Sequence, residues 1–454
     1  MTLQTVQAPS RQNLIAMLLV AAAMIAGGGG SPAPVPELAL ELFALFMVAC
    51  WAVISPRPLP DAAPLAWGIA GLLLVLPVVQ LVPLPPAFWH RLPARETQQA
   101  ALALVGAQDT WRPWSVAPAR TLASLLALTT PAIVLVMTAS LTRSGRNMAM
   151  GMIAGVALLA LLVGAAQMTG GEASTFRFYV PDVGYLNGFQ ANHNSAADVL
   201  LIGMVACAAS VREWSVRRGL PDAPGYRLGL VGGSTILFSL GVFLTASRAG
   251  ALLLPVAWAA VVLIVWPWLR FSRRALGVTL AATAILAALA IFALLSSGVV
   301  ARVLGRFQFE GEFRPQIWRD ALYAVEQYLP FGSGLGTFVP VFMAVERLEV
   351  VDPTVANRAH NDVLELLVEG GVFGAAILAV ITTLLLKRLW ASLRDPPERS
   401  MAQVYFAGAT FAIIAAHSQV DYPLRSMALA SIAAVAAGLL MPGVNAAKGN
   451  AAIA

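Results

Sequence analysis

Twelve apolar runs follow one another along this chain, near 14–30, 37–54, 65–82, 121–141, 149–168, 195–211, 229–246, 249–269, 275–297, 361–386, 402–417 and 426–441. A bilayer core about 30 Å thick needs about 20 mainly apolar residues per helix. In lipid each run has to satisfy its own backbone hydrogen bonds, which an α-helix does. The expected fold is therefore an all-α polytopic membrane protein of about 12 transmembrane helices, with a long helical loop between spans 9 and 10. The first run also reads as a secretory signal peptide, with Arg11 ahead of an apolar core and small residues from Ala26 to Ser31.

Composition agrees with lipid as the main solvent: 59% of the residues are hydrophobic and 11% charged, and the mean hydropathy is +0.76. Cys50 and Cys207 both fall inside apolar runs. They offer neither a disulfide framework nor a metal-ligand spacing, and read as packing residues. A net charge of +6 would suit a nucleic-acid partner if position were ignored. Position removes that class. The basic residues, of which only Lys387 and Lys448 are lysines, are scattered through short segments and form no stripe. The sequence has no P-loop, dinucleotide fingerprint, coiled coil or internal repeat.

With a cytoplasmic N-terminus, the inner segments carry sixteen basic residues and the outer ones thirteen, six of them in one loop from Arg302 to Arg358. In so long a loop the charge rule loses force, so the short segments divide sixteen to seven and place both termini in the cytoplasm. Eighteen of the twenty-three acidic residues fall outside or at outer helix ends, which points to chemistry on the outer face. Segments 83–120, 169–194 and 298–360 are long enough to hold it, and the last is too long for a plain connection. The chain thus divides into spans 1–9 over 1–297, an outer catalytic loop over 298–360, and spans 10–12 with a tail over 361–454. Phe88, Trp89, Trp111 and Trp114 in the first outer segment read as an interfacial aromatic anchor.

Five polar stretches stand at the outer ends of these runs. Where the long loop enters the tenth span, His360 precedes Asn361, Glu365 and Glu369, whose spacing makes one polar stripe on a helix. Ionisable residues at membrane depth are costly unless paired, so the stripe is either functional or a helix cap joined to a structural ion pair. At the mouth of the sixth span, Asn192-His193-Asn194 holds more polar groups than one cap requires. Ser247-Arg248 sits in a tight outer turn, where the guanidinium either binds phosphate oxygens or snorkels to a lipid headgroup.

In the long loop, Arg314, Arg319 and Asp320 lie on a helix-periodic segment. A glycine-rich turn from Pro330 to Phe338 follows, which either brings backbone N–H groups to an anion or is only a turn. Between the last two spans come His417, Asp421 and Arg425. His417 is either a buried, hydrogen-bonded histidine or part of a site, and Asp421 with Arg425 would form an ordinary surface pair.

In this order, Asn192-His193-Asn194, Ser247-Arg248, Arg314 to Trp318 with Pro330 to Phe338, His360-Asn361 with Glu369-Gly370, and Asp421 to Leu424 resemble the O-antigen ligase family of membrane glycan transferases. That family is also similar to the Wzy-type O-antigen polymerases. Trp114 to Thr121 resembles the family's stretch before its fourth span, so the likeness runs from about 111 to 426. The chain departs from the family at His193, where a proline is commoner.

The resemblance implies a bacterial inner-membrane enzyme with a periplasmic active site and an undecaprenyl-diphosphate-linked glycan donor. It also implies inversion at the anomeric carbon, with neither a cofactor nor a required metal. The acceptor would be a saccharide, either the lipid A core or a lipid-linked repeat; membrane lipid is the other partner, and nucleic acid is not one. Carried over by motif, Arg248 and Arg314 would grip the diphosphate and His360 would be the essential loop histidine.

The residue chemistry fits independently. Attack by a sugar hydroxyl needs a proton acceptor and positive charge for the departing diphosphate. His360 is the expected base, with Glu365 or Glu369 as an alternative base or acceptor-orienting group. Arg248, Arg314, Arg319, Asn192, Asn194, Asn361 and Asp421 are the expected substrate-binding set. A Wzy-type polymerase differs only in acceptor, whereas a secondary transporter would carry its polar residues at the bilayer midplane. A scaffold in a polysaccharide-export assembly is the remaining reading.

Overall fold

The computed structural model describes residues 10–30, 34–55, 59–170, 178–179, 184–218, 224–269, 313–351, 355–394 and 400–442. The expected ninth span, at 275–297, and the long loop up to residue 312 lie outside the described residues. The other eleven apolar runs each coincide with a helix. In chain order these begin with α1 (Arg11–Ala26), α2 (Pro34–Ile54) and α3 (Pro64–Leu81). A small segment between α3 and the next long helix follows, in which β1 (Pro83–Leu84) pairs antiparallel with β2 (Arg112–Pro113) and encloses the short helices α4 (Pro86–Trp89) and α5 (Glu96–Ala103).

Next come α6 (Pro118–Ser140), α7 (Arg143–Thr169), α8 (His193–Arg218), α9 (Pro224–Leu244) and α10 (Arg248–Val265). The long loop contributes α11 (Arg314–Tyr328) and α12 (Phe338–Val345). The chain closes with α13 (Asp362–Arg394), α14 (Met401–His417) and α15 (Met427–Leu440). Eight of the helices are long and apolar enough to cross a bilayer, and α1, α14 and α15 are shorter apolar helices.

Helix α8 is the centre of the bundle, packed against α7, α9, α10 and α14. Its run of alanines and Gly203 makes this possible, because small residues let helix backbones approach closely where lipid supplies no hydrophobic drive. A Cβ at Gly203 would lie 2.3 Å from the Cβ of Ala157 on α7. A second layer, α3 and α15, flanks α6.

The helix directions alternate, so the ends of α1, α3, α7, α9 and α14 and the starts of α6, α8, α10, α13 and α15 share one face. Backbone bonds across that face confirm it: Ala428 donates to Gly27 O, Ala191 to Gly28 O, Leu186 to Leu244 O, and Asp362 to Ser418 O. On the opposite face Arg146 is buried, and its guanidinium donates to the carbonyls of Ala139 and Leu141 ending α6 and of Leu439 and Met441 ending α15. Two helix C-termini with unsatisfied carbonyls are thereby tied by one cation, the sign their dipoles favour.

Helix α13 is broken once. Gly371 adopts φ 54° and ψ −146°, outside the helical region, and frees the carbonyls around it. The glycine-rich turn repairs the break: Ser333 donates to Val368 O, Gly334 to Glu369 O, and Val372 turns to Pro330 O. Gln80, from the end of α3, adds a side-chain bond to Glu369 O and accepts from Leu335 N. Gly332 is required here, because at φ +80° its Cβ would fall 2.5 Å from Gly371 N. The turn's N–H groups are therefore engaged by the protein. The anion it does cradle is internal: Phe338 N donates to Glu369 Oε1 at 3.0 Å.

The aromatic anchor expected at 83–120 divides in two. Phe88 and Trp111 are exposed, in keeping with an anchor. Trp89 is buried with its indole on Thr110 O, and Trp114 packs edge-on against Phe331 and Phe373 with its indole on Gly332 O. These two hold the 83–120 segment to itself and to the broken helix.

Candidate active site

His360 stands immediately before α13 with φ +50°, a left-handed conformation that costs a non-glycine residue roughly 1 kcal/mol or more. Both of its neighbours are tied down. Ala359 N donates to Glu365 Oε2, and Ala359 O accepts from the Trp318 indole on α11. Asn361 caps the helix, its Oδ1 accepting from Leu364 N while its Nδ2 donates to Gln419 O. The strained backbone is thus overdetermined by its surroundings, and the imidazole it presents faces the α14–α15 connection.

There Nδ1 of His360 lies 3.0 Å from Oδ1 of Asp421, with side-chain exposures of 26% and 3%. Burial alone would push the Asp421 carboxyl up. Its hydrogen bond and charge interaction with His360, with the charges of His417 and Arg314, instead bring it down to about 2. An ionised carboxylate has no proton to give, so Nδ1 carries the hydrogen of this contact, and in the neutral ring Nε2 is left as the basic nitrogen. The other carboxylate oxygen accepts from Asn192 Nδ2 at 3.2 Å. Tyr422 stands edge-on to the imidazole, ring centres 5.0 Å apart, and its hydroxyl bonds Asn357 and Asn192. Burial and the Asp421 charge push that phenol up to about 12, so it remains a neutral hydrogen-bonding group.

Under His360 lies a buried ion network. Arg425 reaches Glu369 at 2.8 Å and Glu365 at 3.3 Å, with Asp362 at 3.8 Å. Arg358 reaches Glu365 at 2.9 Å and also donates to Gly30 O in the segment that follows α1. Asp362 takes bonds from Ser418 Oγ and Leu424 N. The Arg425 guanidinium is raised above its ordinary value: burial lowers it, but the three carboxylates outweigh burial. Glu365 and Glu369 are fully enclosed in this network. Contrary to the surface pair expected from sequence, Asp421 and Arg425 point to different partners, the first to His360 and the second to the glutamates.

The remaining expected residues divide by place. Arg314 begins α11 within electrostatic reach of Asp421 and His417. Arg319 is exposed, five residues on and so roughly 140° around the same helix. Arg248 opens α10 after the Ser247 cap, two residues before Gly250, which faces Ala197 of α8. Asn194 is buried at the start of α8, its N–H capped by Asn192 Oδ1. Among the described residues no group of His, Cys, Asp or Glu is arranged to hold a metal ion.

Sequence reasoning passed over Arg358, Arg425 and Asp198 as site residues. Asp198 alone carried a usable signal, as the one ionisable side chain in the sixth apolar run.

No curated protein matches the chain. A family model described as O-antigen ligase matches residues 233–379, a stretch that contains Arg248, Arg314, His360, Glu365 and Glu369. Asn192, His417, Asp421 and Arg425 lie outside it and are brought to it by packing. The chain is a multi-pass membrane protein that over residues 233–379 is similar to the O-antigen ligase family.

Proposed function

We propose that the protein transfers a glycan from undecaprenyl diphosphate to a sugar hydroxyl on the periplasmic side of the bacterial inner membrane. The observation that carries this reading is the His360–Asp421 pair. A partly exposed imidazole is held at a strained position, with one nitrogen occupied by an ionised carboxylate and the other available as a base. The acceptor hydroxyl gives its proton to His360 Nε2 while its oxygen bonds the anomeric carbon. The carbon–oxygen bond to the diphosphate breaks and its electron pair leaves with the lipid diphosphate, inverting the anomeric centre.

Arg248 and Arg314 are the fixed charges proposed to receive the diphosphate. Arg319, exposed at the rim, meets substrate farther out, and Asn194 supports the approach from the first turn of α8. Asp421 and Asn192 orient the imidazole from behind. Asn361 caps α13, and Glu365 and Glu369, enclosed and fully engaged by arginines and backbone N–H groups, shape the floor under the base. The sixteen-to-seven division of basic residues in the short segments supports an outward orientation for this face.

The test is transfer by the purified protein, with undecaprenyl-diphosphate-linked oligosaccharide as donor and lipid A core oligosaccharide as acceptor, products weighed by mass spectrometry. A single capped product supports ligation, and a ladder of lipid-linked chains would make the acceptor a second repeat unit. Near-normal turnover of both His360→Ala and Arg248→Ala would remove the mechanism.

A further inference from the structure

A second histidine–aspartate pair lies deeper in the bundle. Nδ1 of His417, the last residue of α14, is 2.6 Å from Oδ1 of Asp198 on α8, and the two side chains are 1% and 0% exposed. His417 Nε2 and Asp198 Oδ2 have no hydrogen-bond partner among the described residues. Such a pair is an expensive way to join two helices, because apolar residues of similar volume commonly do as well or better. Its presence calls for a role besides cohesion.

Its surroundings point to one. The His417 carbonyl accepts the N–H of Asp421 at 2.9 Å, so the backbone that carries His417 also sets where Asp421 begins. Asp198 follows Asn192 by six residues, and Asn192 donates to Asp421 Oδ2. Helix α8 and the residue just before it therefore grip this region twice, once through Asp198 at the His417 side chain ending α14 and once through Asn192 at Asp421 itself. The His417 ring also lies within electrostatic reach of Asp421 and Arg314. A shift of either helix would pull Asp421 off the imidazole of His360.

We propose that Asp198 and His417 are positioning residues for the transfer reaction, locking α8 to the end of α14 so that Asp421 stays aligned behind His360. This rests on the reading of His360 as the proton acceptor. Neither side chain touches substrate, and both act through Asp421. A misalignment at this distance slows the chemical step while leaving the arginines to bind donor.

The experiment is steady-state kinetics on the purified full chain with the undecaprenyl-diphosphate-linked donor. Asp198→Asn and His417→Gln are each expected to lower kcat about 10- to 100-fold while the donor KM stays within about twofold. Placed on Asp421→Asn, either change is expected to lower kcat by less than about twofold more, because the residue through which it acts is already lost. Multiplying losses in the double variants would overturn the proposal, as would a raised KM at unchanged kcat.

His417→Gln keeps an N–H donor for Asp198 and carries the same test should Asp198→Asn not yield monodisperse protein. An active His360→Ala would sink the underlying reading. An inactive His360→Ala beside wild-type kcat in Asp198→Asn and His417→Gln would sink only the positioning role.

Discussion

The imidazole of His360 and the carboxylate of Asp421, 61 residues apart in the chain, meet at 3.0 Å between Nδ1 and Oδ1. Because Asp421 is held ionised, it fixes which ring nitrogen carries the hydrogen. Asp421→Asn keeps the volume but ends that control, since an amide can either donate or accept. Turnover is expected to fall about 10- to 100-fold with little change in donor KM, against a larger loss in His360→Ala.

The same carboxylate contributes to acid stability in a defined direction. Its native value of about 2 lies below the unfolded value near 3.9. The stabilisation is therefore fully present above about pH 4 and is lost as pH falls toward 2, and it amounts to roughly 2 kcal/mol for so buried a group. Thermal melting of detergent-purified protein at pH 6 and pH 3 should show the gap between wild type and Asp421→Asn narrowing on acidification. A gap that widens at low pH would contradict the arrangement.

Arg425 neutralises Glu365 and Glu369 inside the bundle, so removing it strands buried charge. Arg425→Ala is expected to cost about 3–5 kcal/mol and to appear as lost yield and a lowered Tm. Glu369→Gln, which keeps the shape and one hydrogen-bonding oxygen, should lower Tm while retaining far more kcat than His360→Ala. Equal loss of kcat in the two would return Glu369 to the chemistry.

Gly332 meets the break in α13 at φ +80° with no space for a side chain. Gly332→Ala combines left-handed strain with a backbone clash, and a loss of about 3 kcal/mol or more is expected. Circular dichroism melting would detect it, and an unchanged Tm would mean that the turn does not dock as described.

Arg314 and Arg319 share a helix but not a direction. Arg314→Ala should raise the donor KM about 10-fold or more, with a dependence on ionic strength, whereas Arg319→Ala at the exposed position should change it by less than about threefold. Donor titrations at low and high salt separate the two.

The break in α13 shows where linear reading fails. The stretch from Pro330 to Phe338 reads as a glycine-rich turn with N–H groups to offer, and it is one. That those groups go to Val368, Glu369 and Gln80 depends on where α3 and α13 lie. The polar stripe of Asn361, Glu365 and Glu369 follows from helical spacing, but its partners Arg358 and Arg425 come from a loop and from another helix connection. Trp89 and Trp114 likewise carry no local mark that separates them from the exposed Trp111.

The amino-acid sequence alone determined the eleven described helices that coincide with apolar runs and the polar residues at their ends on one face. It also marked His360 and Arg248 as chemically capable. These are properties of single segments, set by the demand that lipid makes on each stretch of backbone. Only the tertiary structure decided that Asp421 faces His360 instead of Arg425, that Glu369 is gripped from three directions, and that Asp198 meets His417. Such pairings arise between helices distant in sequence. Burial leaves each charge a strong need for a partner, and packing alone selects which one it meets.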